Sequence, residues 1–390
     1  MSTPRAGSLV WRCSRACLQP SSHRTFTSTA PRPATVRIVE VGPRDGLQNE
    51  KNAIPVETKI SLVDRLADTG ITCIEAGSFV SPKWTPQMAN SSRILEHVLR
   101  RPPRSATPIT YQWLLPNVKG LENMLEIYEP FASEAGYPTP PGTPEHDNGP
   151  ALNTSSQDPN AIKSAQSGPD AMTPPKTAPT EISLFTAATE TFTKKNTNCT
   201  IAESLERFKP IMAKAKSLGI PVRAYISVAL GCPYEGPDVN PGAVADLAIS
   251  LLEMGAYEIS VADTTGMGTA PSTDRLLKTL SSAGIENRDL ALHFHDTYGQ
   301  ALVNSVVSLE HGIRTFDSAV AGLGGCPFSP GATGNVATED LVHCFHSLGV
   351  DTGIDIQKLA RVGEWISDEV GRPNESRAGK AVLAKLRKQA

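Results

Sequence analysis

Val36–Ala76, VRIVEVGPRDGLQNEKNAIPVETKISLVDRLADTGITCIEA, holds one full repeat of the pattern that decides the fold. A short β-branched apolar run, Val36–Val41, passes through a Gly-Pro-Arg-Asp-Gly turn into a helical pattern at Thr58–Thr69, and a second apolar run follows at Cys73–Ala76. This strand, helix, strand rhythm is that of a parallel sheet covered by helices. Working outward, further strands are expected at Thr110–Leu115, Ile182–Phe185, Val222–Val228, Ile259–Ala262, Leu290–His295 and Thr315–Val320. Helices are expected at Ile201–Leu218, Ala243–Met254, Thr273–Ala283 and Tyr298–Gly312. Eight strands with eight following helices match the α/β class (β/α)8 TIM barrel, which typically occupies ~250 residues. A doubly wound open sheet would normally stop at fewer strands.

Three segments of the 390 residues fall outside that count. Residues 1–33 are rich in Arg, Ser and Thr, and no Asp or Glu occurs before Glu40, a composition suited to a mitochondrial transit peptide and so to a matrix location. Within the barrel of residues 34–355, about 135–180 is dense in Pro, Gly, Ser and Asn and far longer than an ordinary connection, so a disordered insertion is expected, placed to shield one rim. From 356 to 390 a C-terminal helical extension is expected, closing the barrel bottom or making a dimer contact. A formal charge of −3 leaves no basic stripe for nucleic acid, and the apolar runs are too short to cross a bilayer. Of seven cysteines, Cys13 and Cys17 lie in the leader, and the remaining odd, scattered set is no disulfide framework.

The chemistry gathers at strand ends. His293 and His295 are two apart on the seventh strand, so both imidazoles face one side, a spacing suited to a metal. Asp45 follows the first strand, and in a closed barrel only the eighth separates strands one and seven. Asn335, in the loop after strand eight, reaches the same quadrant. Two imidazoles, a carboxylate and an amide oxygen favour Mg2+ or Mn2+ and leave two positions of an octahedron open. Arg44 brings a guanidinium beside the cluster, either to hold a developing enolate oxygen or as a structural ion pair with Glu75 at the end of strand two. Asp263 ends strand six and faces the same rim. Cys326 sits among Gly322, Gly324, Gly325, Gly331 and Gly334, a thiol on a loop able to fold over a ligand.

Six separated blocks, VEVGPRDGLQNEKN, SFVSPKW.PQM, FTKKN.NC, ALGCPYEG, HDTYGQAL and VAGLGGCP..PGATGN.ATEDLV, make the chain from Val36 to about Leu359 resemble the 3-hydroxy-3-methylglutaryl-CoA lyases of the DRE-TIM metallolyase superfamily. The resemblance implies a (β/α)8 barrel, often dimeric, that uses Mg2+ or Mn2+ and takes a small-molecule acyl-CoA. The implied reaction is cleavage of 3-hydroxy-3-methylglutaryl-CoA to acetyl-CoA and acetoacetate, a step of leucine catabolism and ketone-body formation. By position it also implies metal ligation by Asp45, His293, His295 and Asn335, and catalytic roles for Arg44, Glu75, Asp263, His293 and Cys326. Ala76, Gly77 and Thr265 depart from the family pattern, which leaves a longer 3-alkyl substrate open. A condensing synthase of the same superfamily, joining acetyl-CoA to a 2-oxo acid, would share the Arg-Asp and His-x-His elements without needing the Cys326 loop.

Overall fold

The computed structural model describes residues 35–48, 50–134, 178–325 and 334–389. Eight parallel strands close on themselves in chain order: β1 Arg37–Glu40, β2 Cys73–Ser78, β3 Thr110–Leu114, β4 Thr180–Ala187, β5 Val222–Ser227, β6 Glu258–Asp263, β7 Leu290–Phe294 and β8 Thr315–Ser318. Closure is made by β1 against β8, in register from Arg37 opposite Thr315 to Glu40 opposite Ser318. The strands are buried on both faces, as a sheet sheathed by helices requires.

The sheath consists of α1 Val56–Ala67, α2 Ser91–Arg100, α3 Val118–Glu134, α4 Glu190–Thr197, α5 Ile201–Ser217, α6 Pro241–Glu253, α7 Ala270–Ser282, α8 Ala301–Glu310 and α9 Thr338–Ser347. In α1 the buried positions Val56, Lys59, Leu62, Val63 and Leu66 recur every three or four residues, so one stripe faces the barrel. Two helices follow β4 where the sequence pattern gives one, because Asn198 adopts a left-handed conformation (φ 50°) that ends α4. Thr200 then opens α5 with a reciprocal capping box to Glu203. The eighth helix starts at Ala301 and not at Tyr298, since Gly299 turns at φ 70° and Asp296 Oδ1 accepts from the Ala301 amide at 3.0 Å.

Two further helices, α10 Ile356–Val370 and α11 Arg377–Gln389, form the C-terminal segment. They do not close the barrel bottom. The Asp355 amide bonds Thr69 O at 2.7 Å near the start of β2, and α10 climbs beside α1 and α9. The turn after it reaches the other end, where Arg372 donates to Glu50 (2.8 Å) and to Gly324 O (3.2 Å), and the Glu375 amide to Ala321 O (3.0 Å). The expected insertion falls mostly outside the described residues. Its attachments, the end of α3 and the start of β4, belong to the helix-to-strand side of the barrel.

Candidate metal centre

The first strand ends in a wide turn that aims two side chains. Val41 O accepts from the amides of Arg44, Asp45 and Gly46 at 3.1, 2.8 and 3.1 Å, a π-type turn of the kind found at functional sites. A Cβ on Gly46 would lie 2.8 Å from Leu323 Cβ, so the turn packs directly on the loop that follows β8.

Asp45 Oδ2 then stands 3.9 Å from both His293 Nε2 and His295 Nε2, and the three ligand atoms lie within 4.8 Å of one another. Asn335 Nδ2 donates to Asp45 Oδ2 at 2.9 Å and to Leu323 O at 3.0 Å. Its Oδ1 is buried and has no partner among the described residues. An orphaned buried acceptor beside a carboxylate and two imidazole nitrogens is the donor set a hard divalent cation satisfies. Burial would raise the Asp45 carboxyl, but the Arg44 guanidinium and the two imidazoles outweigh it and hold the group at about 2. Burial and the neighbouring His293 push His295 down to about 4, which keeps its ring lone pair free at neutral pH.

Arg44 and Glu75 form one unit beside the cluster. Arg44 Nε and Nη2 reach Glu75 Oε2 at 2.6 and 2.5 Å, while Nη1 reaches Asp45 Oδ1 at 2.6 Å. Glu75 also accepts from Ser183 Oγ (2.6 Å) and Tyr225 OH (3.1 Å), and the guanidinium lies 5.4 Å from the centre of the Tyr225 ring. The ion pair with Glu75 is thus present, and it holds the guanidinium at the rim beside Asp45.

Asp263 ends β6 but stays out of the cluster. Its Oδ2 accepts from the Gly268 amide (2.9 Å), and its carbonyl accepts from the His295 amide (3.2 Å), which steadies the histidine backbone. Burial pushes its carboxyl up to about 7 against the opposing backbone amides of Gly268, Gly266 and Met267. Cys326 lies outside the described residues. At the far end of its loop, Gly334 turns at φ 121°, where a Cβ would be 2.5 Å from Gly322 O, so only glycine lets the segment return Asn335 to the metal side. Gly77 does not widen the mouth: its open side faces Ser91 and Trp113, between sheet and helices, and Ala76 and Thr265 are fully buried.

A family model described as HMGL-like matches residues 35–136 and 153–366. The chain belongs to the HMGL-like family. Among its relatives, a Pseudomonas aeruginosa protein named 3-hydroxy-3-isohexenylglutaryl-CoA/hydroxy-methylglutaryl-CoA lyase is 44% identical over 90% of this chain and 99% of its own. The mitochondrial hydroxymethylglutaryl-CoA lyase of Rattus norvegicus is 43% identical over 90% of each chain. The crystal structure of the hydroxymethylglutaryl-CoA lyase from Pseudomonas aeruginosa superposes with a TM-score of 0.73 at 44% identity, over 90% of this chain and 99% of that one.

What the sequence reading of this HMGL-like chain missed lies inside the barrel. Arg223 is fully buried and pairs with Asp317 (2.6 Å) and Glu258 (2.7 Å), while Tyr225 OH accepts from Arg223 at 2.9 Å. The signal was present as one charged residue inside each of two buried strands, Arg223 in VRAYIS and Asp317 in TFDS.

Proposed function

We propose that this chain is a carbon–carbon lyase that cleaves 3-hydroxy-3-methylglutaryl-CoA to acetyl-CoA and acetoacetate. The observation that carries the reading is the Asp45, His293 and His295 cluster with the Arg44–Glu75 pair fixed beside it. Asp45, the two imidazoles and Asn335 Oδ1 would hold Mg2+ or Mn2+, and such an ion, when bound, acts as a Lewis acid that lowers the pKa of a coordinated hydroxyl.

The chain's own groups account for the rest. The 3-hydroxyl passes its proton to a base, the Cys326 thiolate in this reading, the C2–C3 bond breaks with its electron pair passing to the thioester as an enolate, and C3 becomes the carbonyl of acetoacetate. Arg44, charged at every working pH and held at three of its nitrogens, is oriented to bind the oxygen on which that negative charge develops. Glu75, Ser183 and Tyr225 keep the guanidinium from collapsing fully onto Asp45. C2 finally takes a proton, and Cys326 is the donor in this reading. Asp263 serves by fixing the His295 strand end.

The purified chain supplied with Mg2+ or Mn2+ should release acetoacetate from 3-hydroxy-3-methylglutaryl-CoA; no product with either metal, or condensation of acetyl-CoA with a 2-oxo acid instead, overturns the assignment. A wider acyl range is a second reading, supported by the name of the Pseudomonas aeruginosa relative, and kcat/KM on 3-methyl and 3-isohexenyl thioesters side by side decides it. The composition of residues 1–33 and the mitochondrial rat relative support a matrix location, which loss of import on deleting that segment would test.

A further inference from the structure

The two histidines of the cluster are held differently. His295 Nδ1 is buried and has no partner among the described residues. His293 Nδ1 lies 3.2 Å from Asp317 Oδ2, on the neighbouring strand β8, which pairs His293 opposite Asp317. Asp317 is fully buried, and its other contacts are all donors: Arg223 Nη2 to Oδ1 at 2.6 Å, Arg223 Nη1 to Oδ2 at 3.3 Å, and Ser260 Oγ to Oδ2 at 2.7 Å. A carboxylate paired twice with a buried guanidinium is ionised, and an ionised carboxylate only accepts. The hydrogen of the shared bond therefore belongs to His293 Nδ1, which leaves the lone pair on Nε2, the atom that faces Asp45.

We propose that Asp317, clamped by Arg223 and Ser260, is the positioning residue that sets the His293 tautomer and ring angle so that Nε2 can serve as a ligand in the cluster with Asp45 and His295. The arrangement is a carboxylate–histidine–metal triad assembled across two barrel strands, and outer partners of this kind typically govern 10- to 100-fold of metal affinity. Arg223 extends the same support to the other half of the site. Its Nη1 also donates to Tyr225 OH, which in turn donates to Glu75 and so to the Arg44 unit. The ligand side and the enolate side of the rim thus lean on one buried guanidinium.

The inference rests on the metal reading of the cluster, and its test separates the two. In the full-length, metal-free chain labelled with 15N at histidine, long-range 1H–15N correlation spectra should show His293 with hydrogen on Nδ1 and a bare Nε2, the signal being assigned by its loss in His293→Asn. An Nε2–H tautomer there overturns the proposal, whatever becomes of any variant. Asp317→Asn keeps the shape but turns an amide NH2 toward Nδ1 once its oxygen pairs with Arg223, so the ring should switch to the Nε2–H form. Mn2+ affinity, read by electron paramagnetic resonance without substrate, should then fall 10- to 100-fold. Unchanged affinity and tautomer in Asp317→Asn would refute the role. If the unaltered chain binds no Mn2+, the metal reading fails and takes this inference with it, while the ring spectrum still reports the tautomer independently.

Discussion

Glu75→Gln is the perturbation whose consequences the geometry specifies most fully. Glu75 is completely buried and accepts from four donor atoms: Arg44 Nε (2.6 Å), Arg44 Nη2 (2.5 Å), Ser183 Oγ (2.6 Å) and Tyr225 OH (3.1 Å). Glutamine has the same shape but one acceptor and one donor end, so at least one of those donors faces an NH2. Removing one partner of a buried ion pair costs about 3–5 kcal/mol, and since Arg44 keeps Asp45 at 2.6 Å, the loss should fall near the lower figure, about 3 kcal/mol. The released guanidinium then swings toward Asp45. A displacement of about 1 Å at a positioning group lowers turnover on the order of 100-fold, so kcat should fall by about that much. Urea denaturation of the purified variant measures the first quantity, and acetoacetate release under saturating Mn2+ the second. Mn2+ binding should survive, because no ligand atom is altered. A variant with unchanged denaturation midpoint and unchanged kcat would show that Glu75 holds nothing. One that loses Mn2+ affinity in proportion to kcat would place Glu75 among the ligands.

Three buried carboxyls shape the alkaline side of the stability profile: burial raises Glu40 to about 7 and Glu339 to about 8 from an ordinary 4.5, and Asp263 to about 7 from 3.8. Protons held in the fold but not in the unfolded chain stabilise below 4.5, and that stability is lost as pH rises through 7–8; thermal melts from pH 5 to 9 should fall, and Glu339→Gln should flatten the slope. Gly334→Ala forces a Cβ to 2.5 Å from Gly322 O at φ 121°, so turnover should drop more than about tenfold with the barrel still folded by circular dichroism. Wild-type turnover would refute the pinched loop base. Cys326→Ala should lose turnover while retaining Mn2+, and His295→Ala should lose Mn2+ affinity first; equal loss of metal in both would make the thiol a ligand.

The C-terminal segment is tied to the site through one of those carboxyls. Glu339 accepts from the Ala321 amide with both oxygens (3.1 and 2.9 Å), and a Cβ on Gly363 of α10 would stand 2.1 Å from its Oε1. Helical periodicity made α10 readable in the sequence, but its docking against the turn after β8 was not. That depends on one glycine leaving room for one buried carboxyl group.

The convergence of Asp45, His293 and His295 was legible because barrel closure follows from counting strands and these three lie at or just past the ends of β1 and β7, while Asn335 returns to them from the loop after β8. Arg44 beside Glu75 was legible only as a pair of alternatives, ion pair or catalytic group; the structure shows the ion pair, at the rim of the cluster. Asp317, Arg223 and Tyr225 were not legible as a network. In isolation TFDS and VRAYIS are short strands with a polar residue, and nothing local says whether that residue faces solvent, helices or the barrel axis.

The sequence by itself determined the strand and helix alternation, the barrel and the gathering of Asp45, His293 and His295 at one rim, because these follow from apolar periodicity and from positions along the chain. Only the tertiary structure decided which nitrogen of His293 faces Asp45, which carboxylate steadies Arg44, and where the C-terminal helices dock. Those are set by contacts between residues far apart in sequence, inside a closed sheet whose low polarity makes each buried charge find its partner.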